Sequence, residues 1–283
     1  MDESSQAAPV TSSRSDGVFI DVTELQTPIG SCVSVPIGAV RPDLVERLER
    51  AGYDQAPVLD GARRVVGLID TPRLRQLLTD GRLLTPEDES LYRPTIDSET
   101  TVEKLLGVLA ASRAALVVAR GSSSPVGLVT ISDLNRHAFR RVIYGVLAEV
   151  EDGLARLIEA RFSDFWEWLP KLSEEHQIRL LGYVEVTRRR GVDVGPVAAC
   201  TLTQLLNVVG SFADLRGRLG AESGAKWNDL AGPIIELRNR VMHPVRPMVL
   251  GPDDVKRLQI ATTALVALYR RVAALGLAEL SNR

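Results

Sequence analysis

At 283 residues, with 45% hydrophobic content and a formal net charge of −2, the chain has enough apolar residues for packed cores and no bulk charge to draw it to nucleic acid. Its length exceeds one average domain, so two domains are expected. The cysteines, Cys32 and Cys200, lie far apart and form no metal-ligand pattern, which excludes a disulfide-stapled scaffold and fits a reducing compartment.

Residues 1–17 open with MDESSQAAPVTSSRSD, polar and acidic at the start. Without a basic n-region or an apolar h-region, this stretch predicts a disordered tail rather than a signal peptide. No uncharged apolar run approaches the ~20 residues of a membrane helix, so the expectation is a soluble, cytoplasmic protein.

Two stretches then repeat one another. PVLDGARRVVGLIDTPRL, from Pro57, aligns with LVVARGSSSPVGLVTISDL, from Leu116, so that Val66-Gly67-Leu68-Ile69 matches Val126-Gly127-Leu128-Val129. Each follows a helical pattern, Leu44 and Leu48 in the first and Val102, Leu105, Leu106 and Leu109 in the second. Helix, strand, strand, helix is therefore expected twice. A unit of this size cannot bury both faces alone, so the two should pack together. In GLVTISDL, the glycine lets backbone approach backbone. Thr130 and Ser132 sit where a strand hands over to a helix, a place that favours phosphate, and Asp133 can accept bonds from ribose hydroxyls.

This repeat resembles a tandem pair of cystathionine-β-synthase-type (CBS) domains over residues 18–145. Gly127, Thr130 and Asp133 match the family signature G-h-h-T-x-x-D. The resemblance implies a regulatory adenosine nucleotide such as AMP or ATP, with phosphate on Thr130 and ribose on Asp133. The first repeat departs from the signature: Asp70 stands in place of the threonine and Arg73 in place of the aspartate, although Ala56-Pro57-Val58 matches the family's adenine-side element. One binding site is expected, built from Gly127, Thr130, Ser132 and Asp133. The alternative is that Thr130 and Asp133 only cap a helix.

From Asn135 onward the apolar period becomes 3.6. Helices are expected over Arg141–Ile158, from Ser173 to Arg190, from Thr201 or Thr203 to Leu219, over Lys226–His243, and from Gly251 to Ala274 with Gly276 beyond. Together they predict an antiparallel bundle over residues 146–283, and an α+β chain as a whole. Trp166 and Trp168 read as packing residues, and Arg188-Arg189-Arg190 as a solvated helix end.

The stretch LRNRVMHP, Leu237–Pro244, ends the fourth of these helices. Trp227, Leu230, Ile234, Leu237 and Val241 form its apolar stripe. Asn239 and His243 are four apart and lie roughly opposite that stripe, with Arg238 on the flank beside Ile235 and Met242. Helix-end electrostatics account for Arg240 and His243, but not for Asn239, a poor helix former one turn from the end.

Arg238, Asn239 and His243 resemble the R-N-x-x-x-H motif of HEPN (higher eukaryotes and prokaryotes nucleotide-binding) domains, many of which are metal-independent endoribonucleases active as dimers. The resemblance implies His243 as general base on a ribose 2′-OH, Arg238 on the scissile phosphate and Asn239 as the orienting amide. No metal is implied, since His137, His176 and His243 have no ligand spacing. The resulting expectation is an adenine-nucleotide sensor with a ribonuclease effector of stress or phage-defence type, homodimeric and acting on RNA. The rival reading is a non-catalytic sensor whose helical domain serves dimerisation or partner binding.

Overall fold

The computed structural model describes residues 17–281, with side chains through Gly276. The expected tail falls on residues 1–16, outside the described residues. The described chain is mixed α and β, and divides into two compact units. One comprises residues 19–139 with 249–256, the other residues 140–248 with 257–281.

The first unit contains the repeats. Short strands β1 (Phe19–Asp21) and β2 (Thr27–Pro28) precede β3 (Val35–Pro36), β4 (Gly38–Ala39), α1 (Pro42–Arg50), β5 (Gln55–Leu59), β6 (Val65–Asp70), α2 (Thr71–Thr79) and β7 (Leu83–Leu84). The second repeat follows as β8 (Thr95–Asp97), β9 (Glu99–Thr101), α3 (Val102–Ser112), β10 (Ala114–Val118) and β11 (Pro125–Thr130).

Pairing is the same in both repeats. β3 runs parallel to β5 with Val35 opposite Val58, and β8 runs parallel to β10 with Thr95 opposite Leu116. β5–β6 and β10–β11 are antiparallel, and each pair carries a register shift at the equivalent place, Val58/Leu59 and Val117/Val118. A third segment pairs antiparallel beside the second strand of each hairpin: Tyr92 bridges Leu68, and β2 places Pro28 opposite Gly127. Close approach of that segment explains the shared glycine. A side chain at Gly67 would meet the Tyr92 carbonyl at 3.2 Å, and one at Gly127 would run into the Gln26 side chain. Leu68 of the first repeat packs with Ala114, Leu116 and Leu128 of the second, so the two share a core as the repeat argument requires.

The second repeat closes differently from the sequence expectation. β11 does not hand over to an α-helix. Ile131–Asn135 form a 3-10 turn, Arg136 is extended, and α4 (His137–Arg161) starts after it.

The second unit is helical. It takes α4 from Arg140 onward, then α5 (Glu174–Arg189), α6 (Leu202–Ser211), α7 (Ala213–Arg218), α8 (Gly224–Val241) and the greater part of α9 (Pro252–Ser281). Thr201 caps α6 with a reciprocal Gln204 bond, and Ser173 and Ser223 cap α5 and α8. Along α4, Ile143, Val146, Leu147, Val150, Leu154, Leu157 and Ile158 are buried at three- and four-residue spacing. Along α8, the stripe is Trp227, Ala231, Ile234, Leu237 and Val241.

Three helix boundaries depart from expectation. The helix from Thr201 to Leu219 is broken at Phe212, which is extended (φ −111°, ψ 121°) and packs against Phe162 with the rings tilted by 55° and their centres 4.7 Å apart. α8 stops at Val241 rather than His243. α9 continues through Gly276 instead of ending before it. α9 is also long and apolar enough to cross a membrane by length and composition. Leu258, Leu265, Val266, Leu268 and Val272 on it are buried, as on a core helix.

Gly153 of α4 is where a side chain is least welcome: a Cβ there would lie 1.8 Å from Val272 Cγ1 on α9. Alanine gains about 0.5–1 kcal/mol of helix propensity over glycine, whereas overpacking costs about 1–3 kcal/mol, and valine is too stiff to swing aside. Gly153→Ala is expected to destabilise the protein by about 1 kcal/mol in urea unfolding, the difference of the mid-range values of these terms. Adding Val272→Ala should recover part of the loss.

Candidate functional site

The turn after β11 carries the first candidate. Asp133 is 8% exposed. Its Oδ2 accepts from the Thr130 N–H (2.8 Å) and the Thr130 hydroxyl (2.9 Å), while Oδ1 receives Arg136 Nη2 at 2.8 Å. The carboxylate thus ties the end of the strand to the turn, which is the capping role weighed above. An ionised carboxylate offers about four lone-pair sites, so these three donors nearly saturate it. The Ser132 hydroxyl lies on an exposed residue, and the Arg136 guanidinium, also on an exposed residue, donates to Asp133, to the Gln26 carbonyl (3.4 Å) and to the Thr27 hydroxyl (3.4 Å). Arg136 was not singled out from sequence. Its signal was the i, i+3 spacing from Asp133, which places the two on one side of a helical turn.

At the equivalent place in the first repeat, protein partners take up the altered residues. Asp70 accepts a 2.8 Å bond from the Tyr92 hydroxyl. Burial, reinforced by that bond and by the Asp70 charge, pushes the Tyr92 pKa well above the usual tyrosine range. Arg73 pairs with Asp88 at 3.6 Å and donates to Gln76 at 2.9 Å. Ala56, Pro57 and Val58 are buried within β5.

The second candidate is the end of α8. Arg238 is half-buried, while Asn239 and His243 are exposed. Arg238 Nη1 lies 3.4 Å from Asn239 Oδ1, a long bond that joins these two side chains. His243 lies past the helix end, so the helical i, i+4 relation with Asn239 is not continued. Among the described residues no hydrogen bond joins its imidazole to Arg238 or Asn239. Arg238 also faces Glu151 of α4: burial raises that carboxyl above its usual range, and the Arg238 charge pulls it partly back.

What holds this helix end is Arg140, which sequence reading passed over. It is 6% exposed and donates to the carbonyls of Arg240 (2.8 Å), Val241 (3.5 Å) and Arg246. Arg240 in turn reaches the Met248 carbonyl at 3.1 Å and Glu236 at 2.9 Å. Burial lowers the Arg140 pKa, yet a guanidinium stays charged in a protein. A planar fork of five donors suits several spread carbonyls at once, and nothing in the local pattern of FRRVI marks it for that task.

Arg140→Ala should strip the guanidinium donors from the Arg240, Val241 and Arg246 carbonyls, at about 1–3 kcal/mol for a group left unsatisfied. Amide exchange over residues 241–247 should rise ahead of global unfolding. Arg140→Lys should restore little, because an ammonium is a single point charge. Unchanged protection in both variants would remove the clamp from consideration.

No protein-family model matches the sequence, and no curated protein matches it. Among solved structures, the chain is similar to the CBS domain of a bacterial CNNM/CorC-family Mg2+ transporter in complex with ATP, at 22% identity over 41% of this chain and 84% of that one, with a TM-score of 0.35. It is also similar to a hemolysin-like CBS-domain protein of Oenococcus oeni PSU, at 14% identity over 44% and 93% of the two chains, with a TM-score of 0.36. A further similarity is to CBSX2 in complex with AMP, at 17% identity over 43% and 98%, with a TM-score of 0.36.

Proposed function

We propose that the unit built on residues 19–139 is a tandem CBS module that senses an adenine nucleotide at the turn after β11. In this reading the helical unit is a HEPN-type effector, a metal-independent endoribonuclease of stress or phage-defence type that works as a homodimer. The observation that carries it is the disposition of R-N-x-x-x-H: Asn239 and His243 are exposed and take no part in the apolar stripe of α8. Arg238, half-buried beside them, supplies positive charge for a phosphate. The imidazole, unengaged by Arg238 or Asn239 of its own chain, is free to take a proton from a ribose 2′-OH, and a second copy completes the site.

At the nucleotide site, Thr130 and Asp133 shape the turn around Gly127, and Ser132 with Arg136 meets the phosphate. The rival, a non-catalytic sensor, draws support from the same two places. Asp133 is largely occupied by protein donors, and the three motif side chains are not assembled within one chain.

Calorimetry with AMP, ADP and ATP tests the sensor. Asp133→Ala disturbs the turn as well as any ligand, so Ser132→Ala is the cleaner probe, and Arg136→Gln is read beside its effect on the turn through Asp133. Removing a bond to a charged group costs about 1.5–3 kcal/mol, so Arg136→Gln should weaken binding by at least tenfold, while Arg73→Ala should have little effect. Absence of heat with all three nucleotides would discard the site.

Incubation with total RNA in EDTA, with and without ATP and AMP, tests the effector. Cleavage should leave 2′,3′-cyclic phosphate and 5′-hydroxyl ends and should spare DNA. His243→Ala should lose about 10²–10⁴-fold in rate with its fold intact, since exposed substitutions usually change stability by no more than about 0.5 kcal/mol. If no RNA is cut under any nucleotide condition, the non-catalytic reading stands.

A further inference from the structure

Asn135 closes the 3-10 turn Ile131–Asn135, the turn that carries Ser132 and Asp133. Its side chain reaches beyond the turn. The amide nitrogen donates to the Val249 carbonyl, and the amide oxygen accepts from the Val249 N–H, both at 3.0 Å. One side chain thus takes up both main-chain groups of a residue 114 positions away, as a neighbouring strand would. An amide suits this task because it carries a donor and an acceptor side by side. Val249 stands just past the stretch that bears His243. The near end of that stretch is held by Arg140, through the carbonyls of Arg240, Val241 and Arg246. Residues 242–249 are therefore tied at both ends by one short piece of chain, 135–140. The Asn135 bonds lie within the first unit and the Arg140 bonds within the second. The chain passes from one unit to the other between Phe139 and Arg140, and again between Met248 and Val249.

This strap has little slack. Only Pro247 and Met248 separate Arg246, held by Arg140, from Val249, held by Asn135. Pro244 and Pro247 have fixed φ, and the Arg246 N–H donates to the His243 carbonyl at 3.0 Å, closing a turn. Met248 and Val249 are 0% and 3% exposed. A flexible loop absorbs a shift at one end, whereas a short stretch with two prolines and an internal bond passes it on. At the other end, the turn is held by a side chain for which a phosphate competes. Arg136 divides its guanidinium among Asp133 (2.8 Å), the Gln26 carbonyl and the Thr27 hydroxyl (3.4 Å each). Its N–H donates to the Asp133 carbonyl at 3.0 Å. A phosphate that draws Arg136 off Asp133 alters the bonds that shape the turn, and with them the placement of Asn135. The ligand then interacts differently with two arrangements of the turn, which any shift of population requires.

We infer that Asn135 is the positioning residue through which a nucleotide at the turn after β11 acts on His243, by way of the strap 242–249. This names the regulation of the proposed effector site. It rests on the nucleotide reading given above but not on ribonuclease activity, because its tests read amide exchange and an imidazole resonance rather than cleavage.

The test uses the full chain with AMP, ADP or ATP, at saturation set by calorimetry. In wild type the nucleotide should change amide exchange over residues 242–249 by at least about fivefold, the lower end of ordinary coupling between sites. It should also shift the His243 imidazole resonance, identified by its loss in His243→Gln. Without ligand, Asn135→Ala should speed exchange of the Val249 amide at least about fivefold, because that N–H loses its acceptor. The variant should still give heat with the nucleotide, yet the strap and the His243 resonance should no longer respond to it. Asn135→Leu, similar in volume and without hydrogen-bonding groups, should behave in the same way. Arg73→Ala, in the first repeat, should leave every response intact.

No heat with any of the three nucleotides overturns the sensor reading and this inference together. Heat in wild type without a response over 242–249 or at His243 overturns this inference alone, and needs no variant to fold. A response that persists in both Asn135 variants assigns the link to another residue and overturns it as well. Loss of nucleotide heat in both variants makes Asn135 part of the binding turn, and Val249 exchange unchanged in both removes the tie. Either result also overturns it.

Discussion

The last carbonyls of a helix have no partner within it, and at the end of α8 the following chain supplies only part of the need, through the Met242 and His243 N–H groups to the Arg238 and Arg240 carbonyls. Pro244 and Pro247 lack an N–H, and the residues from Met242 to Pro247 are exposed. Arg140 meets that need from another helix. Its guanidinium is buried, its hydrogen bonds go to carbonyls, and it lies where the α8 macrodipole is negative. A buried charge is tolerated only when its donors are satisfied, so Arg140 and the turn it holds depend on each other. The whole R-N-x-x-x-H stretch is displayed from this anchorage.

The repeats of the first unit show how one backbone can carry two different chemistries. Both hairpins have the same parallel and antiparallel partners, the same bulge and the same paired segment beside a glycine. What differs is side-chain bookkeeping after the strand. In the second repeat Asp133 draws in Thr130 and Arg136, and the Ser132 hydroxyl stays on an exposed residue. In the first, Asp70 draws in the Tyr92 hydroxyl and Arg73 draws in Asp88. The backbone fold is insensitive to these exchanges because it rests on Val35, Val58, Ile69 and their counterparts.

Much of this was legible from the residues. The two matched stretches announced a duplicated unit, and Leu68, Leu116 and Leu128 do share a core. The stripe on α8 followed from its spacing, save that Ala231 rather than Leu230 is buried, and it left Asn239 exposed as the wheel requires, while His243 is exposed beyond the helix end. Less legible were the ends of elements. Ile131–Asn135 and Phe212 depart from the helical pattern of their sequence, Phe212 because its ring packs on Phe162.

Periodicity and spacing are local quantities. They are set by 3.6 residues per turn and by alternation along a strand, so the sequence by itself determined the duplication, the helical second half and the exposed polar motif. Arg140 with Arg240 and Arg246, Tyr92 with Asp70, and Gly153 against Val272 are separated by 22 to 119 residues, and were decided only by tertiary structure. Which donor meets which acceptor across such distances depends on how whole elements pack, and no pattern within a short window of residues contains that information.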